Sequence, residues 1–210
     1  ASSDQARQAL ASIDAAIGQL LDELDGRGLR DAVDIVLVSD HGQVDVPATQ
    51  RVTTDAMVDP AIATPVDDGQ SLGFIPAPGR EAEAEAALLG EHGAYACWRK
   101  AELPAQWRYG THPRVPPIVC QSHPGWDAIL PEKLDWRRAN GTRGSHGYDP
   151  ALPAMRAVFV ASGPSFREGA VLPPLENVDV YPLLMHLLGL EPGDHDGSDA
   201  ALEALRPPPH

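Results

Sequence analysis

The chain has 210 residues, 43% of them hydrophobic and 22% charged, with 30 acidic against 16 basic residues and a formal net charge of −14. That composition suits a globular domain with a sizeable core. The acidity excludes a broad nucleic-acid surface, though not a small anionic substrate held by bound cations. No run of about 18 apolar residues occurs, which excludes a transmembrane helix.

Ser2 and Ser3 offer an N-cap and Asp4 a first-turn negative charge. Leu10, Ile13, Ile17, Leu20, Leu21 and Leu24 then recur at helical spacing, which predicts a long amphipathic helix ended by Gly26 and Gly28. Val33–Val38 is a near-continuous apolar run, the pattern of a parallel strand covered on both faces. The stretch from Asp45 to Asp68 reads as irregular, broken by Pro47, Pro60 and Pro65. Leu72–Ile75 predicts a strand, Arg80–Glu91 a helix and Tyr95–Trp98 a strand, together a small subdomain spanning about residues 70–100. Further strands are expected at Ile118–Gln121 and Gly125–Ile129, with polar loop from there to Gly144. Ala157–Ala161 reads as a strand. Asn177 is placed to cap a helix over Val178–Leu188, with Pro182 in its first turn and Gly189 as its stop. After Pro192 the chain is a polar tail ending in Pro207, Pro208, Pro209 and His210.

Chemistry concentrates in two places. Asp40 and His41 follow the predicted strand directly, at the carboxyl end where open α/β sheets bind ligands. A carboxylate and an imidazole are ordinary zinc donors, and Gly42 permits the chain to turn there. Downstream, His146 stands between Gly144 and Gly147 in RGSHGYDP, with no strand or helix period of its own. The plainer reading of each segment is a capped turn and a surface-loop histidine; their pairing favours a metal-dependent hydrolase.

The other histidines read as structural or exposed: His186 within an apolar helix as a core or interface residue, His112 and His123 beside a Pro-rich stretch, and His92, His195 and His210 as surface positions. Trp98, Arg99 and Lys100 could meet an anion, but a packed Trp among solvated charges is the simpler expectation. Arg143 neighbours His146 and is evenly balanced between the two roles. Cys97 and Cys120 lack a CxxC spacing, which excludes a Cys-rich zinc site and leaves their pairing open, with two buried thiols as the plainer expectation. No serine-hydrolase elbow, P-loop or dinucleotide-binding glycine pattern is present.

The ordered set IVLVSDHG, WRKAELP, RYGTHPRVPPIV, RGSHGYDP and NVDVYPLLMHLLGL resembles the nucleotide pyrophosphatase/phosphodiesterase family of the alkaline phosphatase superfamily, over nearly the whole chain. The resemblance implies an α/β sandwich with a mostly parallel central sheet, here its C-terminal half, over residues 1–192. It implies two zinc ions, or other divalent metals, and hydrolysis of phosphodiester or pyrophosphate bonds through a covalent phospho-enzyme. By the same resemblance Asp40 and His41 would bind one ion and His146 the other. The family's Thr or Ser nucleophile and three further ligands have no counterpart here. Thr53, Thr54 and Thr142 lie where the family has no nucleophile, and no substrate-binding residue is assigned. The chain alone is therefore expected to be inactive. A processed start or a fragment boundary at Ala1, and a periplasmic or secreted location, are the accompanying expectations. A sulfatase, a phosphomonoesterase, or a non-catalytic binding or scaffold protein of the same fold are the alternatives.

Overall fold

A computed structural model describes residues 3–207. Ser2 of the expected N-cap, and Pro208, Pro209 and His210 of the tail, lie outside the described residues. The chain divides into two compact units: His41–Arg156, and Ser3–Asp40 together with the segment from Ala157 onward.

The first unit is built on a five-stranded antiparallel sheet. Its strands are β4 (Ala63–Pro65), β5 (Ser71–Pro76), β6 (Gly90–Glu91), β7 (Tyr95–Arg99) and β8 (Ile118–Ser122), in the order β4-β5-β8-β7-β6. Strand β8 thus lies between β5 and β7, which flank helix α3 (Glu81–Leu88) in sequence. Leu72, Phe74, Tyr95, Cys97, Ile118 and Cys120 form a buried cluster with Ala84 and Leu88 of α3. Burying one such large apolar side chain contributes about 1.5–3 kcal/mol, so this cluster is the main stabilising feature of the unit. Cys97 and Cys120 are register partners on β7 and β8. They form a disulfide, which corrects the expectation of two thiols. Two cysteines facing each other across neighbouring strands are brought within bonding range by sheet register, which local sequence does not encode.

Smaller pairings complete this unit. β2 (Val44–Val46) pairs antiparallel with β10 (Arg143–Ser145), and β3 (Arg51–Thr53) pairs parallel with β9 (Asp127–Ile129). α2 (Thr54–Met57) follows β3, and α4 (Leu134–Ala139) lies between β9 and β10. Both stretches expected to be irregular therefore carry regular elements. Their elements are three to six residues long, too short for a periodic signal to emerge.

In the second unit α1 spans Asp4–Gly26, capped by Ser3, whose side chain accepts the Ala6 N–H at 3.1 Å. Its type and length match the expectation, yet none of its residues is buried. β1 (Ile35–Val38) pairs with β11 (Phe159–Ser162) in antiparallel register, Ile35 opposite Ser162 and Val38 opposite Phe159. Among the described residues only β3 and β9 pair in parallel. The class is α/β as expected, but the mostly parallel sheet is not what these pairings form. Nor is β1 covered on both faces, since Leu37 and Val38 are 40% and 43% exposed. An apolar run reports a tendency to be covered; direction is set by the partner strand.

Helix α5 (Val180–Leu188) ends at Gly189 in the left-handed conformation, as its sequence implies. Its start differs from the expectation. A capping box between Glu176 and Asp179 opens the preceding 3₁₀ turn at Asn177–Asp179. His186 on α5 is exposed, which removes the core reading of it and leaves the interface one. Leu183 of this helix packs with Phe166, Ala201 and Ala204, joined by Val36 and Ala161 of the two strands.

Candidate functional site

Strand β1 delivers Ser39 and Asp40 to the end of the β1–β11 pair. The Ser39 N–H donates to the Val158 carbonyl at 3.0 Å, and the Val158 N–H donates to Ser39 Oγ at 2.8 Å. Asn177, expected as a helix cap, instead donates its side-chain amide to the Asp40 carbonyl at 3.0 Å. Asp40 is thereby held at its backbone while its side chain lies at an exposed position.

His41 opens the other unit. Its ring stacks on that of His146, with centroids 4.0 Å apart and planes inclined by 17°. Two residues more than a hundred positions apart are thus brought into contact. His41 Nδ1 lies 2.9 Å from the Gly42 carbonyl. A carbonyl only accepts, so Nδ1 is the donor in this contact.

Gly42 is required, though not for a turn. A Cβ there would sit 1.9 Å from the Ala154 carbonyl oxygen, and the Gly42 N–H donates to the Met155 carbonyl at 3.0 Å. Close backbone approach dictates the glycine. On the other side His146 directly follows β10 and is itself in no strand or helix, in line with its lack of a period. Gly147 has φ +90°, and its carbonyl accepts the Gln121 side-chain amide at 2.9 Å. Buried Tyr148 donates its hydroxyl to the Trp126 carbonyl at 2.8 Å. Burial, then the negative charge of Asp127, pushes this phenol up to about 12. These contacts fix the backbone on which His146 stands.

The donor types of Asp40, His41 and His146 suit zinc, but their number does not. A tight site needs three or four converging donors, and among the described residues no group of three or more His, Cys, Asp or Glu side chains could hold an ion. The residues present do not make a complete metal site.

The remaining candidates have partners within the fold. Trp98 meets Trp107 edge-on at 5.2 Å. Arg99 donates to Glu85 at 2.9 and 2.7 Å and to Glu102 at 3.0 Å, and these carboxylates raise its pKa further. Lys100 Nζ donates to the His112 and Val115 carbonyls. His123 pairs with Glu91, and His92 Nε2 meets the Leu88 carbonyl at 2.8 Å. Thr54 is buried. Arg143 points its guanidinium at buried Asp127, 3.0 Å away. The Arg51, Asp127 and Arg137 charges around it escaped sequence reasoning, because nothing in a three-residue strand marks one carboxylate as buried.

A family model described as type I phosphodiesterase / nucleotide pyrophosphatase matches residues 1–149. Human ectonucleotide pyrophosphatase/phosphodiesterase family member 5 is 31% identical over 189 residues, 90% of this chain and 39% of that protein. The bis(5'-adenosyl)-triphosphatase of Bos taurus is 28% identical over 193 residues, 91% of this chain and 41% of that protein. The chain therefore spans about two fifths of the length of these relatives. Among solved structures, human ectonucleotide pyrophosphatase/phosphodiesterase 5 superposes with a TM-score of 0.89 at 27% identity, over 98% of this chain and 54% of its own. An inactive threonine-to-alanine variant of the murine protein in complex with AMP gives 0.89 at 30%, with the same coverage.

Proposed function

Because the chain belongs to the type I phosphodiesterase / nucleotide pyrophosphatase family, within the alkaline phosphatase superfamily, we propose that its domain hydrolyses phosphodiester or pyrophosphate bonds of nucleotide-type substrates. The observation that carries this reading is the His41–His146 stack, formed by two of the motifs that carry the family resemblance. The AMP complex of the murine relative supports a nucleoside monophosphate as the group recognised.

By the family resemblance Asp40 and His41 would hold one divalent ion and His146 a second, the further donors being supplied by the rest of the family domain. The nucleophile likewise comes from elsewhere in the domain. Its hydroxyl oxygen bonds to phosphorus as the bond to the leaving group breaks, and water later displaces the enzyme oxygen to release the monophosphate. Residues 1–210 alone do not turn over. The disulfide supports an oxidising, extracytoplasmic compartment.

The test compares residues 1–210 with the longer polypeptide that includes family sequence upstream, on a dinucleoside polyphosphate with zinc present. The longer form releases nucleoside monophosphate and loses at least about a hundredfold in rate with His146→Ala. Steady release by residues 1–210, or full activity of the His146→Ala form, overturns the reading.

A further inference from the structure

Three arginines converge on one carboxylate in the His41–Arg156 unit. The parallel β3–β9 register sets Arg51 opposite Asp127, β10 contributes Arg143 and α4 contributes Arg137. Asp127 is fully buried. It accepts from Gln70 Nε2 at 3.0 Å and from Arg143 Nη2 at 3.0 Å, and Arg137 Nη1 lies 3.6 Å away. Arg51 is fixed by donating to the Ala48 and Gly141 carbonyls, each at 2.9 Å. Nearby Asp68 is matched by Lys133 at 2.8 Å. Among the described residues, Asp127 is thus the buried carboxylate that faces three guanidiniums.

Among the described residues, Arg51 Nε, Arg137 Nε and Nη1, and Arg143 Nε are buried and have no hydrogen-bond partner. Arg137 as a whole is only 8% exposed. Buried donors without acceptors are rare in native proteins, and charged ones are the most costly. Burial, foremost, lowers the pKa of Arg51 and Arg137, and repulsion among the guanidiniums adds to this against the pull of Asp127.

We propose that Arg51, Arg137 and Arg143 form a binding site for a small tetrahedral oxyanion of the phosphate class. Such an ion offers several acceptor oxygens to planar guanidinium forks and carries the charge that balances them. Ser145, buried beside Arg143 with its Oγ 3.3 Å from Nη2, has a hydroxyl hydrogen to add. The Arg143 side chain, 30% exposed, is the route in. The site stands apart from Asp40, His41 and His146 in its residues, and needs no hydrolysis to be seen.

The experiment titrates inorganic phosphate into residues 1–210 at constant ionic strength and follows thermal unfolding and the phosphorus-31 linewidth of the phosphate. A saturable rise in Tm with line broadening is expected, and Arg137→Gln weakens binding about tenfold or more. Arg143→Gln, at a partly exposed position, gives the same loss if Arg137→Gln does not fold. A parallel titration with AMP separates the sources: competition with phosphate assigns the site to a nucleotide's phosphoryl group, and binding of phosphate alone assigns it to the free ion. No broadening, a Tm rise that does not saturate, or equal binding by the folded variants overturns the proposal.

Discussion

The antiparallel sheet of the His41–Arg156 unit and the long helix of the other unit are opposites in how they use apolar residues. Phe74, Leu88 and Ile118 are at most 1% exposed, in contact with one another through sheet and helix. On α1, Leu10, Ile13 and Leu20 repeat with comparable regularity and are 66%, 56% and 51% exposed. A periodic apolar stripe states that a surface favours burial; it does not state that these residues find it among themselves. The sheet does, because five strands and α3 enclose a shared interior.

Three variants test this contrast, in decreasing order of effect. Phe74→Ala removes a large side chain from a filled interior and should cost about 3–5 kcal/mol in a urea titration followed by circular dichroism. A loss near that of a surface change would mean that the sheet is not the stable unit described. Breaking the Cys97–Cys120 bridge by a double Cys→Ala change should cost about 2–4 kcal/mol, since it frees a loop in the unfolded chain. Mass spectrometry of the alkylated, unreduced protein checks the bond itself; free thiols there would reverse the correction. Leu10→Ala should change stability by no more than about 0.5 kcal/mol, as expected for an exposed site. A cost of several kcal/mol there would show that something covers the face of α1, and the contrast with the sheet would fail.

Among the elements, legibility followed length and periodicity. The 23-residue α1 and the stop of α5 at Gly189 were plain, because a periodic stripe and a left-handed glycine are local signals. β2, β3, β10 and α4 are not legible, since three to six residues carry no period. At the candidate site the chemistry was legible in residue types, a carboxylate beside one imidazole and a second imidazole flanked by glycines. The reason for Gly42 was not, because it lies in the Ala154 carbonyl against which the backbone packs.

By itself, then, the sequence determined the α/β class, the long helix, the family resemblance and the candidate residues Asp40, His41 and His146. Each is written in residue type, local spacing or a short ordered motif. Only the tertiary structure decided which strands pair and in what direction, that Cys97 faces Cys120, that His41 stacks on His146, and that three arginines surround Asp127. Asp127 and Arg143 lie 16 positions apart, Cys97 and Cys120 23, and His41 and His146 105. Such contacts are set by register and packing, which no local pattern encodes.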